Sequence, residues 1–331
     1  MTAGGSGEDR LIAQLFEPIA RHPGALGLRD DAAFLDVPSG QRLVLTKDAL
    51  VAGVHFFPDD PPASIARKAM RVNLSDLAAK GAEPLGVLLA IAIPPDMSNE
   101  ALAAFAGGIG DDSLLFGAPL LGGDTVRTTG PFTVSLTALG SVPIGRMVQR
   151  TTAGAGQSIV VTGTIGDAAL GLQLRLHPER PGFRALSDEQ RGFLADRYLH
   201  PRPRLALAGA LRAHAAAAMD ISDGLVGDLT KLLVASGVAG TIEIDRIPLS
   251  AAARAAIAAE PALLETALTG GDDYEILAVI PDSHLDAFNA SATATGIGAA
   301  SIGRTSVGAG LAVHDTSGAA ISFARGSFSH F

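Results

Sequence analysis

The 331-residue sequence contains no cysteine. It therefore has no disulfide framework, no thiolate metal site and no cysteine nucleophile. Long hydrophobic runs are missing as well, because the longest, residues 84–95, has about half the length that a membrane-spanning helix needs, and prolines bound it. The first residues lack the basic and apolar regions of a secretory signal. We therefore expect a cytoplasmic protein that makes no membrane contact.

Positive charge is scarce, since 25 Lys and Arg residues stand against 34 Asp and Glu residues and give a net charge of −9. No block of basic residues occurs. Nucleic-acid affinity comes mainly from basic side chains that neutralise phosphates, so nucleic acid is excluded as a partner. An acidic chain that handles phosphate would need metal ions as intermediaries.

Several common catalytic motifs are also missing. The chain has no G-x-x-x-x-G-K-[ST] phosphate loop, no G-x-G-x-x-G followed by an acid, no G-x-S-x-G and no H-E-x-x-H. Residues 163–171 contain glycines without the Lys-Ser/Thr pair, and we interpret them as a strand-to-helix turn. Backbone amides at such a helix start could still meet an anion. Bound nucleotide phosphates would depend largely on metals.

The length predicts two domains, and a glycine-rich segment at 151–158 places their boundary near residue 147, so that the domains are 1–147 and 148–331. Strand and helix patterns mix in both halves, which indicates an α/β or α+β class. In the first half we predict a helix at 8–20, a hairpin at 32–50, a helix at 64–80 that ends before Gly81, and strands at 85–93 and 131–142. In the second half we predict strands at 158–162, 241–245, 274–280 and 311–314, and helices at 166–176, 203–218, 223–236 and 250–259.

Aspartates beside Gly, Ser or Thr recur at inferred junctions between strand, turn and helix. They are Asp30, Asp31, Asp48, Asp76, Asp124, Asp220, Asp223, Asp272 and Asp273. Each alone can be explained as a helix N-cap or a turn residue. Their number favours hard oxygen ligands that converge from many loops, and magnesium suits such a set because it binds carboxylates together with substrate phosphates.

Two aspartates depart from the junction setting. Asp76 lies inside a predicted helix, where aspartate is mildly unfavourable. A solvated polar stripe with Asn73 and Lys80 is the alternative explanation. In the segment 219–229 we expect Ser222 or Asp223 to cap the following helix, and we interpret Asp228 as a solvated helix residue.

Nine segments together resemble bacterial thiamine-monophosphate kinase, and they follow the same order through nearly the whole chain. They are 7–12, 28–35, 46–56, 72–84, 120–127, 161–172, 219–229, 269–276 and 328–331, which includes "MDISDGLVGDL" and "TGGDDYEI". The resemblance implies the two-domain aminoimidazole-ribonucleotide-synthetase-like fold, with an N-terminal α/β domain that pairs in a homodimer and a C-terminal α+β domain. It also implies direct phosphoryl transfer from ATP to thiamine monophosphate, assisted by several Mg²⁺ ions.

The same resemblance implies the roles of individual residues. The metal set is Asp31, Thr46, Lys47, Asp48, Asp76, Asp124, Asp220 and Asp223. The ATP set is Gly123, Asp124, Arg150 and Ser222, and the substrate set is His55, Asp272 and Phe328. No general base is expected, because the attacking phosphate oxygen is already ionised at neutral pH. The lone His55 is about as well explained by a structural role.

Three positions depart from the family pattern. Lys47 stands where Thr is usual, Arg29 replaces a small residue, and Asp272 stands where Glu is usual. Lys47 is harmless if only its carbonyl binds, and otherwise its ammonium must point away from the metal or toward phosphate. Asp272 has a shorter arm than Glu, which affects its direct contact with the thiamine.

Alternative functions remain open at this point. One is another ATP-using enzyme of the same superfamily, such as an amidine-forming ligase of purine synthesis. Another is a non-catalytic Mg-nucleotide sensor, for which Lys47 and Asp272 are the hints. A selenophosphate synthetase is disfavoured by the absence of cysteine.

Overall fold

The computed structural model describes residues 7–323. The chain divides into two compact units. The first comprises Met1–Leu77 and Ala82–Gly145, and the second comprises Ala78–Gly81 and Arg146–Phe331. In the described residues no helix is long and apolar enough to cross a membrane.

The first unit is built on one four-stranded sheet. Its strands are β1 (Gln41–Val51), β2 (Glu83–Ile93), β3 (Leu120–Arg127) and β4 (Thr133–Pro143), and its helices are α1 (Gly7–Leu11), α2 (Pro62–Ala79) and α3 (Asn99–Phe116). A π-helical turn, Ile12–Phe16, and 3₁₀ segments, Glu17–Ile19 and Pro23–Leu28, follow α1. The strand order is β1-β4-β2-β3, in which only β2 and β3 run parallel. Helix α3 makes the connection that a parallel pair requires.

Sequence patterns predicted α2 and β2 within a few residues. The residue after Lys80 is Gly81, whose φ of +68° is the left-handed conformation favoured at the end of a helix. The hairpin at 32–50 is wrong, because residues 32–38 form no strand and β1 instead pairs antiparallel with β4, some ninety residues later in the chain. Turn residues at 38–40 gave a local signal, but the pairing partner is distant.

The second unit holds a seven-stranded sheet in the order β11-β10-β7-β9-β5-β8-β6. Its strands are β5 (Ser158–Thr162), β6 (Ala217–Asp220), β7 (Ala239–Glu243), β8 (Ile276–Ile280), β9 (Ala299–Ser306), β10 (Gly310–His314) and β11 (Ala320–Ile321). Its helices are α4 (Asp167–Leu176), α5 (Pro181–Arg184), α6 (Asp188–Leu199), α7 (Ala208–His214), α8 (Leu225–Ser236), α9 (Ala251–Ala259), α10 (Leu263–Thr269) and α11 (Asp282–Ala294), with 3₁₀ segments at Leu205–Leu207 and Ile244–Arg246.

The first two residues of strand β6, Ala217 and Ala218, were predicted as the end of a helix at 203–218. These alanines favour helix locally, but all four residues of β6 are buried, and they pair antiparallel with β8. Burial in the sheet therefore overrides the intrinsic helix propensity of alanine. The end of β6 carries Asp220 to the loop that precedes α8.

Candidate functional site

In the first unit, strand β1 and helix α2 bring together three of the predicted metal ligands. Side chains alternate between the two faces of a strand, so Thr46 and Asp48 share one face. The Thr46 hydroxyl donates a hydrogen bond to the Asp76 carboxylate on α2. The backbone N–H of Asp48 donates to the Asn73 side-chain oxygen at 3.1 Å, which ties the same strand to the same helix.

The Asp76 carboxylate is close enough to influence the ionisation of Asp48. Burial raises the pKa of Asp48 to about 6, and the negative charge of Asp76 contributes a second, smaller effect in the same direction. Both effects disfavour the charged form of Asp48. A cation between the two carboxylates would counter this cost, so the pair is chemically suited to a divalent metal.

The alternative explanation of a solvated stripe is wrong for Asn73, because this residue is fully buried. Its amide nitrogen donates to the Ala69 carbonyl at 3.0 Å, while its oxygen accepts from Asp48. Asn73 therefore fixes the backbone of Asp48. Its position three residues before Asp76, on the same helical face, is the signal that could have indicated this role.

The opposite face of the sheet borders a cavity of about 740 Å³. Polar residues among its lining are Asp30, Asp31, Lys47, Asp124, Thr125, Ser135 and Thr137, together with the backbone of Gly122 and Gly123. The cavity thus brings together Asp31, Lys47, Gly123 and Asp124, four residues of the predicted site. Lys47 lies on the other face of β1 from its sequence neighbours Thr46 and Asp48.

Asp48 and Asp124 were expected at turns, and this expectation is wrong. Both lie inside strands, Asp48 in β1 and Asp124 in β3. The strand placement decides which face of the sheet each side chain occupies. Arg29, a departure from the family pattern, forms an ion pair with Glu17 at 2.5 Å, and its side chain is largely exposed.

Three further contacts expected from the resemblance have different settings. His55 accepts a hydrogen bond from the Val51 backbone N–H through Nδ1 at 3.0 Å, which secures the turn after β1. Arg150 is exposed, and its carbonyl accepts a hydrogen bond from Ser236 at 3.0 Å. Phe328 lies outside the described residues.

In the second unit, the loop after β6 lies beside the loop that leads into β8. The backbone N–H of Asp272 donates to the Ser222 carbonyl at 2.9 Å, and that of Tyr274 donates to Ile221 at 2.8 Å. A Cβ atom on Gly271 would lie 2.3 Å from the Ser222 carbonyl oxygen, so only glycine fits between the loops. The structure therefore places the predicted ATP contact Ser222 next to the predicted substrate contact Asp272.

Asp272 and Tyr274 both have positive φ angles, +73° and +51°. Such angles are uncommon outside glycine and require support from the surrounding structure. Two buried acids of the same segment supply that support. Asp273 accepts from the backbone N–H of Gly166 at 2.7 Å, and Glu275 forms the ion pairs described next.

Glu275 is the centre of a buried charge network that sequence reasoning missed. Its side chain has no exposed surface, and it pairs with Arg197 at 2.9 Å and with Arg204 through two hydrogen bonds. The Thr162 hydroxyl donates to the same carboxylate at 2.8 Å. Glu275 belongs to the 269–276 motif, but neither arginine lies in a motif, so nothing in the sequence identified the pairing.

The turn at 163–166 leads from β5 into α4 and confirms the strand-to-helix interpretation of this segment. Its amides, which could have met an external anion, instead meet Asp273 through the N–H groups of Gly166 and Ala168. Burial raises the pKa of Asp273 well above its usual value, and burial likewise raises the pKa of the neighbouring Asp167. Thr164 and Ser250 donate to Asp167.

The interpretation of Asp228 as a solvated residue is wrong. Asp228 is fully buried in the first turn of α8. The expected capping by Ser222 or Asp223 is also wrong, because Gly224 is the N-cap and has no side chain to donate or accept. The side chain of Asp228 accepts the loop amides in its place.

The predicted metal ligands are carboxylate and hydroxyl oxygens and, at Lys47, a backbone carbonyl, and Mg²⁺ prefers such oxygen donors. Within residues 7–323, no group of three or more His, Cys, Asp or Glu side chains is clustered closely enough to hold a metal ion. The residues present thus fit an ion that takes one or two protein carboxylates and completes its shell with water and phosphate oxygens, as Mg²⁺ does.

Comparison with known proteins identifies both halves of the chain. Residues 29–142 match the family description "AIR synthase related protein, N-terminal domain", and residues 154–316 match the corresponding C-terminal domain. The thiamine-monophosphate kinase of Caulobacter vibrioides is 42% identical over 307 residues, which cover 92% of this chain and 85% of the relative.

Solved structures give the same result. A crystal structure of thiamine-monophosphate kinase from Stenotrophomonas maltophilia superposes with a TM-score of 0.82 at 37% identity, covering 94% of this chain and 96% of that one. The structure of AaThiL complexed with AMPPCP and TMP has a TM-score of 0.78 at 29% identity, and 91% of each chain is covered.

Proposed function

Since this chain belongs to the thiamine-monophosphate kinase family, within the AIR synthase-related proteins, we propose that it phosphorylates thiamine monophosphate with ATP to give thiamine diphosphate. The observation that carries the proposal is the structure of a relative in complex with two ligands: AMPPCP, which is an ATP analogue, and TMP, the acceptor. The expected fold, with its two AIR synthase-related domains, is confirmed.

The transfer joins two anionic molecules, so their mutual repulsion must be reduced before the acceptor oxygen can approach in line. The acceptor is a phosphate oxygen, and no side chain is assigned as a general base. The chain's own contribution is to hold both anions in a fixed arrangement and to keep its carboxylates oriented without reorganisation during transfer.

Several Mg²⁺ ions belong to the proposal, and when bound they would neutralise phosphate charge. The residues proposed to hold them are Asp31, Thr46, Lys47, Asp48, Asp76, Asp124, Asp220 and Asp223, with Lys47 contributing its carbonyl. Support comes from the oxygen donor chemistry of the other seven side chains. It comes also from the burial of Asp48 and its repulsion by Asp76, which together raise the pKa of Asp48.

The nucleotide contacts proposed are Gly123, Asp124, Arg150 and Ser222, and the substrate contacts are His55, Asp272 and Phe328. Residues 1–147 would supply the metal and phosphate loops, and residues 148–331 the nucleotide and substrate contacts. The adjacency of Ser222 and Asp272 in the second unit supports a shared location for the two ligands there. A cytoplasmic location belongs to the same proposal, and the cysteine-free chain is compatible with a reducing compartment.

A homodimer is also proposed, through the face of the first unit's sheet that borders the cavity. Leu45, Leu88 and Val126 lie on this face and are 61%, 39% and 48% exposed, respectively. Exposed apolar side chains on one face of a sheet favour an interaction surface. Sedimentation should give twice the 33.6 kDa chain mass for the wild type and the mass of a single chain for Leu45→Asp. A wild-type monomer would contradict the dimer.

The proposed reaction is tested by a substrate panel with purified protein, ATP and Mg²⁺. We expect ADP and thiamine diphosphate in equal amounts from thiamine monophosphate. We expect no turnover with the substrate of an amidine-forming ligase of purine synthesis. Nucleotide binding without ADP release, at high enzyme concentration, would instead identify a sensor. Removing Mg²⁺ with a chelator should stop turnover, and re-addition should restore it.

A further inference from the structure

One buried carboxylate holds the loop between β6 and α8. Asp228 Oδ2 accepts two hydrogen bonds, from the backbone N–H of Ser222 at 2.9 Å and of Asp223 at 2.8 Å. The residue is fully buried, and its other oxygen accepts from Lys231 Nζ at 2.9 Å. A single side chain thus binds two successive amides of the segment in which nucleotide and metal contacts are proposed.

The start of α8 explains why this carboxylate is needed. The N-cap, Gly224, provides no side-chain acceptor, and its φ of +107° is a conformation that other residues rarely adopt. A Cβ atom there would lie 2.6 Å from the backbone of Thr269. The amides before the helix consequently depend on an acceptor from the first helical turn, and Asp228 is at the required position.

Lys231 extends the same arrangement to the side chain of Asp223. Its ammonium lies 2.9 Å from Asp228 and 2.5 Å from Asp223 Oδ2, so it bridges the two carboxylates. The backbone of Asp223 is fixed by Asp228, and its carboxylate is oriented by Lys231. Burial raises the pKa of Asp228, and the ammonium and the backbone bonds counter that effect.

We propose that Asp228 is a positioning residue for the Mg-nucleotide site: it preforms the loop that presents Ser222 and Asp223, and it touches neither substrate nor metal. The inference rests on the proposed function, because Ser222 and Asp223 are assigned there. It adds a residue outside the expected ligand set, and it predicts that the loop has its binding conformation before nucleotide arrives.

The test is Asp228→Asn, which keeps the size of the side chain but replaces one acceptor oxygen with a donor. Either the amides or Lys231 then lose a partner. Binding of Mn²⁺-AMPPNP, measured by calorimetry, should weaken by roughly ten- to a hundredfold, as expected for charge-assisted hydrogen bonds. KM for thiamine monophosphate should rise by a smaller factor, because Asp272 contacts this loop through the Ser222 carbonyl and not through the two amides that Asp228 binds.

Asp188→Asn is the matched control, because Asp188 is an exposed acid in the first turn of α6. It should leave both constants unchanged. Wild-type affinity of Asp228→Asn for Mn²⁺-AMPPNP would overturn the proposal. A proportional loss of nucleotide binding and thiamine monophosphate binding would also overturn it, because that result indicates general destabilisation.

Hydrogen exchange in the wild type keeps the inference testable if the variant does not fold. The amides of Ser222 and Asp223 should be protected in the ligand-free protein. Protection that arises only after Mn²⁺-AMPPNP binds would contradict a preformed loop. The reaction itself is tested separately: if the wild type makes no thiamine diphosphate but Asp228→Asn still loses nucleotide affinity, the proposed reaction fails and the positioning role stands.

Discussion

Replacing Asp76 with asparagine is expected to lower kcat by about 10²- to 10³-fold, the usual cost of removing one preorganised electrostatic contact from a reaction centre. The variant should remain folded, because the asparagine oxygen can still accept the hydrogen bond that Thr46 donates. Removing the charge also relieves the repulsion that contributes to the raised pKa of Asp48. The measurements are kcat at saturating ATP and Mg²⁺, and the melting temperature.

Asp111→Asn is the matched control for this prediction. Asp111 lies in α3, in the same unit, with a side chain that is 66% exposed and paired with Arg67 at 2.9 Å. Surface ion pairs contribute little, so we expect nearly normal kcat and an unchanged melting temperature. Activity of Asp76→Asn within threefold of the wild type at ordinary Mg²⁺ would remove Asp76 from the site.

Glu275→Gln is expected to destabilise the protein more than any surface change. Its carboxylate is fully buried between Arg197, which is also buried, and Arg204. Neutralising it leaves two guanidinium groups without their counter-ion, at a cost of about 3–5 kcal/mol. For a unit of this size the melting temperature should fall by roughly 6–20 °C, as followed by calorimetry.

The control for Glu275 is Glu243→Gln at the end of β7, which breaks an ion pair with Arg246 whose side chains are 41% and 54% exposed. Its melting temperature should change by less than about 3 °C, because such pairs contribute about 0–1 kcal/mol. A similarly small change in the melting temperature of Glu275→Gln would show that the buried charge network contributes little to stability. A folded Glu275→Gln protein should also have a raised KM for thiamine monophosphate, because Asp272 depends on the same segment.

Local patterns predicted those elements whose signal is contained in the element itself. Helix α2 and its terminating Gly81 followed from periodicity and turn chemistry. Strand β5 and helices α4 and α9 were likewise predicted to within a residue or two. The hairpin at 32–50 was wrong because β1 pairs with β4, which is distant in the sequence, and local turn residues carry no information about a distant partner.

The role of the aspartates as metal ligands stays a prediction, and the surroundings expected for several of them were wrong. Asp48 and Asp124 lie in strands, where alternation places neighbouring residues on opposite faces, as it does for Lys47 and Asp48. Asp228 was interpreted as solvated because it lies one turn further into the helix and has no counterpart in the expected metal set. The buried Asp228 instead accepts hydrogen bonds from two loop amides and from Lys231, and the spacing of residues in the sequence does not predict these contacts.

Buried pairs between distant residues were the least predictable feature. Glu275 lies 78 positions after Arg197 in the sequence, and 71 after Arg204. No periodicity or motif links such positions, since the pairing depends on how α6 and the start of β8 pack. The positive φ angles of Asp272 and Tyr274 are similarly a product of that packing rather than of their residue types.

The most direct test of the proposed reaction follows the γ-phosphoryl group of ATP. With γ-labelled ATP, thiamine monophosphate and Mg²⁺, the label should appear in the terminal phosphate of thiamine diphosphate. One label should be transferred for each ADP formed, and neither product should accumulate without the acceptor. ADP formed at the same rate without thiamine monophosphate, or label that never enters thiamine diphosphate, would contradict the proposed function.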